Sequence, residues 1–321
     1  MPIRFITPSL GGQRQTDVGP HQWQVGLAYR RLTATEWYVG TQIHPERAPF
    51  GGPLTLNINS LDVTVTYGVT SRLSLSLTVP FSRGVQERWY VDSVTHTVSA
   101  FGMGDINLIG TLWVRDPAAG PSGNLAFGLG VKTPSGSNHV QDEFWTKTTT
   151  TRYYVDQSIQ LGDGGWGILL QTQGFQRLSR RLYGYVSGSY LVSPREKTDV
   201  AFPTINGSPS TIILSVPDVY SARWGVAYVL APERGMALSL GARIDGIRVR
   251  DLIGGGDDGF RRPGYELYLD PGVSYALGRG TFTASVPVKL TQDFKPDLTP
   301  THPKGGDLAE YLIFLGYRYR F

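Results

Sequence analysis

The chain has 321 residues, of which 12% are aromatic and 17% charged, with 40 glycines, no cysteine and a formal net charge of +4. The lack of cysteine excludes disulfides and thiolate metal sites. Basic residues form no cluster larger than pairs such as Arg180-Arg181, which argues against nucleic-acid binding. No run of about 18 apolar residues predicts a transmembrane helix. Abundant glycine and aromatic residues at low charge instead fit a strongly curved β-sheet with aromatic belts.

The first 21 residues are predicted to form a periplasmic segment in front of a single domain that spans 22–321. They lack the charged, then apolar, then small-residue layout of a signal peptide. Because a barrel in the outer membrane must be exported, we expect that the signal has been removed or that the true start lies upstream.

The stretch 72–81 shows the cleanest alternation of apolar and polar residues. Its apolar residues are Leu73, Leu75, Leu77, Val79 and Phe81, separated by serines, a threonine and a proline. Successive side chains of a strand point to opposite faces, so this pattern predicts a strand with one apolar and one polar face. Such a strand suits a barrel wall between lipid and a polar lumen.

Similar alternation and turn signals divide the rest of the chain. The predicted strands are 22–31, 54–67, 72–81, 103–115, 124–133, 166–177, 181–192, 219–230, 236–249, 265–277, 281–291 and 308–321. Short turns and long loops alternate strictly between them. The sequence therefore predicts an all-β fold, a transmembrane antiparallel up-and-down β-barrel of 12 strands, with short periplasmic turns and long extracellular loops. A soluble sandwich or propeller would not predict this alternation of loop length.

The last predicted strand carries a face made of aromatic and aliphatic side chains. The members of this face are Tyr311, Ile313, Leu315, Tyr317, Tyr319 and Phe321. The strand resembles the C-terminal insertion signal of outer-membrane barrels, with Gly316, Tyr319 and Phe321 matching and Phe314 standing where that pattern prefers a polar residue. This resemblance implies recognition by the barrel-assembly machinery, and the aromatic face predicts contact with outer-membrane lipid.

Several segments resemble an outer-membrane family named for the meta-cleavage pathway of phenol degradation. They are TYGVTSRLSLSLTVPF (66–81), FGMGDINLIGTLWV (101–114), LAFGLGVKTPSG (125–136), VDQSIQLGDGGWG (155–167), SGSYLVSP (187–194) and LYLDPGVSY (267–275). The resemblance implies a transporter barrel in the bacterial outer membrane, in a family connected with the uptake of aromatic or hydrophobic molecules. It brings no catalytic motif.

Metal, cofactor and enzyme chemistry are weakly supported. The Gly- and Asp-rich stretch 254–259 lacks the Asp-x-Asp-x-Asp repeat of a dedicated Ca²⁺ site. The histidines show no metal-ligand spacing, and they are His21, His44, His96, His139 and His302. We predict no metal and no cofactor. Barrel enzymes need a strand-borne histidine beside a nucleophile or carboxylate. None of the histidines falls in a predicted strand, so the sequence predicts no enzyme.

Charged residues fall on the parity that should face the lumen, because charges facing hydrocarbon are costly. They are Asp62, Asp105, Lys132, Arg223, Arg243, Asp245, Glu266, Asp270, Lys289, Glu310, Arg318 and Arg320. We predict a constriction from those on three neighbouring strands, which are Arg243, Asp245, Glu266, Asp270 and Lys289, with the acids facing Arg243 or Lys289. The same charges also fit a network of ion pairs that fills and rigidifies a closed barrel.

The prediction is therefore an outer-membrane channel or transporter for small molecules, including hydrophobic or aromatic ones. The alternative is a structural or scaffold barrel whose long extracellular loops bind a surface partner while the lumen stays closed. The short turns also carry a ring of arginines that could anchor to headgroups or dock an acidic periplasmic protein. They are Arg72, Arg115, Arg177, Arg180, Arg181, Arg234 and Arg279.

Overall fold

The computed structural model describes residues 18–44, 54–120, 122–201, 212–254, 259–295, 305–306 and 309–321. Most of the predicted segment 1–21, together with His302 and residues 255–258 of the Gly- and Asp-rich stretch, lies outside these residues. Within them the chain forms a closed antiparallel barrel of 12 strands. We number them β1 (Trp23–Ala34), β2 (Leu54–Gly68), β3 (Leu73–Trp89), β4 (Thr95–Met103 and Asn107–Trp113), β5 (Gly123–Lys132), β6 (Gly167–Arg177), β7 (Leu182–Val192), β8 (Val219–Ala231), β9 (Met236–Ile247), β10 (Gly264–Leu277), β11 (Gly280–Ser285 and Val288–Phe294) and β12 (Tyr311–Arg320).

The barrel closes through its first strand. Gln24 of β1 lies opposite Thr66 of β2 on one side and opposite Arg320 of β12 on the other. Each remaining strand pairs with its sequence neighbours, so the order is a simple up-and-down meander. This confirms the predicted fold class and the strand number. The connections alternate in length less strictly than predicted, because 90–94, between β3 and β4, is shorter than 114–122, between β4 and β5.

Three of the long loops carry secondary structure of their own. They contain the pair Trp37–Val39 and Gln42–His44, which Gly305–Gly306 extends, and the hairpins Gln141–Trp145 with Thr150–Tyr154 and Lys197–Ala201 with Ile213–Ser215. Among the described residues, no helix is long and apolar enough to cross a membrane.

The largest difference from the predicted boundaries lies between β3 and β4. The predicted loop 82–102 is mostly strand, because β3 runs on to Trp89 and the first part of β4 begins at Thr95. β4 is then interrupted at 104–106, and the interruption changes which residues face inward: Val98 and Ala100 before it, Ile109 after it. A single alternation therefore does not run through β4, which is why the sequence pattern located only its second part.

The outer surface of the barrel is apolar. On β3, Leu75 and Leu77 are 44% exposed, whereas Thr78, which points inward, is 1% exposed. Near the short turns, aromatic rings pair on the outside: Phe282 with Tyr317 at 4.5 Å and Tyr319 with Phe321 at 5.1 Å between ring centres. An apolar band bordered by aromatic rings is the surface expected where a barrel wall meets lipid.

The inner surface changes character along the barrel axis. Near the short turns it is lined by hydroxyls, and β2 and β3 join there through the pairs Thr66–Ser76 and Thr64–Thr78, each 2.9 Å between oxygens. Near the long loops, Leu56 and Ile58 of β2 point inward and are almost fully buried. The lumen is thus polar at the end with the short turns and partly apolar at the end with the long loops.

Candidate functional site in the barrel lumen

The loop 133–166 folds into the mouth of the barrel at the end with the long loops. Its Val155 and Ile159 are buried in one apolar cluster with Leu56 and Ile58 of the wall. Ile159 lies directly on Gly84 of β3, where a Cβ atom would be only 2.6 Å from the Ile159 side chain. Glycine at position 84 is therefore required for this close approach, and the loop narrows the entrance.

Polar contacts hold the central part of this loop against two other long loops. Both Arg262 nitrogens Nη1 and Nη2 lie 3.4 Å from the Asp156 carboxylate oxygens, and Gln157 Nε2 donates to the Ser215 carbonyl at 2.7 Å. Burial alone would raise the pKa of the Asp156 carboxyl, but the Arg262 charge and hydrogen bonds from Ser158 outweigh it. The pKa of Asp156 therefore lies well below its usual value, and the loop is held by an ionised carboxylate.

A second buried cluster anchors both ends of the loop to the wall. The Lys132 ammonium at the end of β5 donates to Asp163 at 2.5 Å, to Asp105 at 3.1 Å and to the Gly165 carbonyl at 2.7 Å. Asp105, which sits in the interruption of β4, also accepts from the Gly136 backbone at 2.9 Å. Asp105 and Lys132, which were both predicted to point inward, thus contact each other inside the barrel.

Ion pairs join β8, β9 and β10 on the inner surface of the wall below the loop. Arg223 Nε lies 2.5 Å from Asp270 Oδ2, and Arg243 Nε lies 2.7 Å from Asp245 Oδ2. All four side chains are at most 5% exposed. The partner of Asp270 is therefore Arg223, and not Arg243 or Lys289 as the sequence suggested.

Glu266 and Lys289 complete the row of predicted constriction residues. Glu266 lies opposite Asp245 in register and accepts a hydrogen bond from the Tyr268 hydroxyl. Lys289 of β11 lies opposite Tyr268 of β10, but its ammonium pairs with Glu36 of the first long loop at 3.4 Å. Four of the five predicted residues thus form one charged layer, and Lys289 connects its edge to a loop.

Phe314 and Arg243 meet at this level of the lumen. The Arg243 guanidinium carbon lies 4.7 Å from the centre of the Phe314 ring, and Phe314 is 4% exposed. Phe314 lies opposite Arg30 on one side and opposite Ser285 on the other. A cation above an aromatic face is an attractive contact that gains strength when water is excluded.

Two cavities adjoin this contact, and Phe314 lines both. The upper cavity has a volume of about 70 Å³, and its walls combine apolar residues such as Leu56, Ile58 and Leu312 with the carboxylates of Asp245 and Glu266. The lower cavity has a volume of about 160 Å³ and is lined mainly by small and hydroxyl-bearing residues. The Phe314–Arg243 contact therefore separates an apolar upper lumen from a polar lower lumen.

Sequence reasoning missed part of this site. It omitted Phe314, Tyr268 and the loop residues Asp156 and Arg262 from the constriction. For Phe314 a signal existed, because an aromatic residue replaces the polar residue of the insertion pattern on the inward parity. For Asp156 and Arg262 no signal existed, because they are 106 positions apart on loops with no periodic pattern.

The predicted insertion-signal residues occupy both faces of β12. Tyr319 and Phe321 point outward and are 37% and 60% exposed. Gly316 faces inward, and a Cβ atom there would meet the Thr283 hydroxyl, which would have to move aside. Recognition of these residues by an assembly machinery stays a prediction.

Two described histidines lie in strands, contrary to the sequence interpretation: His44 in the loop strand Gln42–His44 and His96 in the barrel wall. His96 belongs to the first part of β4, where its ring stacks on Trp145 at 4.0 Å and its Nε2 contacts Asp92 at 2.7 Å. No serine or threonine hydroxyl of the described chain contacts it. The described residues also contain no group of three or more His, Asp or Glu side chains arranged to hold a metal ion.

A closed antiparallel barrel with an apolar exterior, aromatic rings at one rim and a charged interior is the architecture of a bacterial outer-membrane β-barrel. No family model matches the sequence, and no curated protein matches it. Among solved structures, an outer-membrane channel from Pseudomonas putida F1 is similar, with a TM-score of 0.62 and 15% identity over 98% of this chain and 100% of that chain. This likeness shows the shared barrel fold.

Two further structures are similar at a lower level. The CymD monoaromatic hydrocarbon channel has a TM-score of 0.49 and 10% identity, over 96% of this chain and 90% of that chain. The toluene transporter TbuX from Ralstonia pickettii has a TM-score of 0.46 and 12% identity, over 95% of this chain and 90% of that chain.

Proposed function

We propose that the barrel is an outer-membrane channel that passes small molecules, including apolar and aromatic ones, through its lumen. The observation that carries this proposal is the pair of cavities on the two sides of Phe314. A barrel filled only for rigidity would gain from packing these spaces, since empty volume in an interior costs stability. A path that is interrupted by one side-chain contact instead fits a narrow channel.

The walls of the upper cavity support a solute with an apolar part. Leu32, Leu56, Ile58, Leu312 and Phe314 offer apolar contact in a region that the loop 133–166 shields from solvent. Burial of apolar surface stabilises such a solute by about 25 cal/mol per Å². The mixture of apolar wall and a few polar groups is typical of sites for small organic molecules.

The constriction in this proposal is formed by Arg243, Asp245, Glu266 and Asp270 together with Phe314. Fixed charges that face one another in a low-dielectric lumen set the barrier to solutes. Lys289, through its contact with Glu36, is assigned to the edge of this constriction. The similar barrel from Pseudomonas putida F1 is an outer-membrane channel, which is consistent with this role.

The scaffold alternative has one observation in its favour. The buried pairs Arg223–Asp270 and Arg243–Asp245 fill inward-facing space along three neighbouring strands, which would suit a lumen that stays closed. A closed barrel with a folded loop in its mouth would then act through its outer surface. A measurement of conductance decides between the channel and the scaffold.

The test is a planar-bilayer recording on the purified, folded protein, combined with swelling of liposomes in solutions of small alcohols. A channel is expected to give discrete conductance steps and swelling rates that depend on solute size. Membranes that stay silent with a protein that is fully folded by circular dichroism would refute the channel function and favour the scaffold.

We also propose that the chain belongs to the family named for the meta-cleavage pathway of phenol degradation. A further part of the proposal is that the barrel binds protein partners. Support for an assembly partner comes from the exposed Tyr319 and Phe321 at the end of β12. On the short turns, Arg177, Arg180, Arg181, Arg234 and Arg279 are exposed. They are placed to contact phosphate headgroups or an acidic periplasmic protein.

A further inference from the structure

The lower cavity carries positive charge only. Among the described residues that line it, the charged ones are Arg72, Arg223 and Arg318, and no carboxylate lines it. The remaining polar lining consists of neutral groups that donate or accept hydrogen bonds, such as Thr64, Thr66, Ser76, Gln171 and Thr283. A space surrounded by guanidinium groups and hydroxyls is suited to an anion.

Arg223 is the group in this cavity with an unused donor. Its side chain is 3% exposed, and its Nε is bound to Asp270. Its Nη2 is buried and has no hydrogen-bond partner among the described residues. A buried guanidinium N–H without an acceptor is costly, so an acceptor in the cavity would stabilise it.

The negative charges nearest to the cavity lie behind its lining or at its rim. Asp270 accepts from Arg223 Nε through Oδ2, while its Oδ1 is buried without a hydrogen-bond partner among the described residues. Asp116 on a short turn accepts from the Ser71 hydroxyl at 2.7 Å. Asp62 lies on β2 opposite Ala28, one inward position above Thr64, and has contacts of its own. These acids reduce the positive potential, but the groups that reach the cavity surface remain donors.

The size of the cavity limits the ligand. Its volume of about 160 Å³ is close to the roughly 150 Å³ of an engineered protein cavity that holds one benzene molecule. A ligand that enters from the extracellular side also passes the apolar walls at Leu56, Ile58 and Leu312. A compact apolar body with one acidic group fits both the route and the cavity.

We propose that the lower cavity is a binding site for a small organic monocarboxylate, in which Arg223 Nη2 donates to the carboxylate oxygens and the hydroxyls of the wall complete its shell. The proposal deepens the channel function and rests on it in one respect, since the ligand reaches the cavity through the lumen. Binding itself requires no ion current.

The test compares three probes with the same ring and different charge: benzoate, benzyl alcohol and benzylammonium. Their binding to the intact barrel in detergent is measured by saturation-transfer NMR titrations at constant salt. We expect benzoate to bind about tenfold or more tightly than benzyl alcohol, because a charge-assisted hydrogen bond is stronger than a neutral one. Benzylammonium is expected to bind most weakly.

The double variant Arg223→Gln/Asp270→Asn removes the ion pair without leaving a buried charge. It should abolish the preference for benzoate, so that benzoate and benzyl alcohol bind with similar affinity. Leu269→Ala, which changes an exposed lipid-facing side chain next to Asp270, is the matched control and should keep the preference.

Equal or tighter binding of benzyl alcohol by the wild type overturns the proposal, whether or not the double variant folds. A benzoate preference that survives in the folded double variant overturns the role of Arg223. If the wild type shows the preference but never conducts, the anion site stands and the channel function fails. If the wild type conducts but shows no preference for benzoate, the channel function stands and the anion site fails.

Discussion

Arg243 of β9 lies above the ring of Phe314 of β12, at a distance of 4.7 Å, and this contact separates the two cavities of the lumen. The two strands are not neighbours in the sheet, because β10 and β11 lie between them. The contact therefore projects into the lumen from separate positions on the wall. Substitution of Phe314 alone removes this contact.

Phe314→Ala should join the cavities and raise the single-channel conductance. It should also lower the free energy of unfolding by about 3–5 kcal/mol, as is usual for loss of a buried phenyl ring. Bilayer recordings and urea unfolding check both effects, with Leu269→Ala as a lipid-facing control. An unchanged conductance in the folded variant would place the barrier elsewhere.

Glu266→Gln combined with Asp270→Asn should shift ion selectivity toward anions, because two negative charges leave the constriction while its arginines stay. Since Asp270 is the partner of Arg223, we also expect a loss of stability of about 3–5 kcal/mol. Reversal potentials in a KCl gradient measure the selectivity. Leu267→Ala, on the opposite face of β10, should leave it unaltered.

If the double variant conducts with the selectivity of the wild type, the assignment of Glu266 and Asp270 to the constriction is refuted. The channel function itself would remain.

The position of the loop 133–166 should be insensitive to mild acid. Asp156 has a lowered pKa in the folded state, so its stabilisation is complete above the unfolded value of about 3.9 and is lost as pH falls through the lower folded value. Current noise from loop motion should therefore stay constant from pH 7 to about pH 4.

Asp156→Asn should show increased noise already at pH 7, because the pair with Arg262 is lost. The matched control is Asp142→Asn, on the loop hairpin, which contacts the Ser99 backbone instead. Noise in the wild type that rises between pH 7 and pH 5 would contradict the anchoring role of Asp156.

Labelling of cysteines tests the orientation in the membrane. Thr148→Cys at the tip of a loop hairpin should react with an impermeant thiol reagent on whole cells, whereas Ser71→Cys and Ser179→Cys on short turns should not. The chain has no native cysteine, so the background is low. The reverse labelling pattern would invert the orientation of the whole barrel.

Deletion of Phe321 should reduce the amount of folded, heat-modifiable barrel in the membrane. The residue is 60% exposed and pairs with Tyr319, so its loss removes an interfacial aromatic contact as well as the terminal recognition residue. Gel-shift assays on outer-membrane fractions measure the effect. Assembly at the wild-type level would argue against the insertion signal.

The sequence predicted the strands of the barrel wall, but it did not predict the loop in the mouth or the side-chain pairs inside the lumen. Alternation such as Leu73–Phe81 locates strands because the bilayer and the lumen impose opposite polarity on successive residues. The inward parity also located Arg243, Asp245, Glu266 and Asp270. Their pairing did not follow from parity, since Arg223 Nε bonds Asp270 past the intervening strand β9. The loop residues Asp156 and Ile159 follow no period, so their place inside the mouth could be found only from the structure.

The contact between Asp156 and Arg262 also bears on the order of assembly. Asp156 belongs to the connection between β5 and β6, whereas its partner follows β9 and becomes available only when most of the wall has been made. Neighbouring hairpins can form as the chain enters the membrane, but this loop cannot reach its final position until the later strands have arrived. We therefore expect the mouth to fill last, and an unfinished barrel to be wider and more permeable than the mature one.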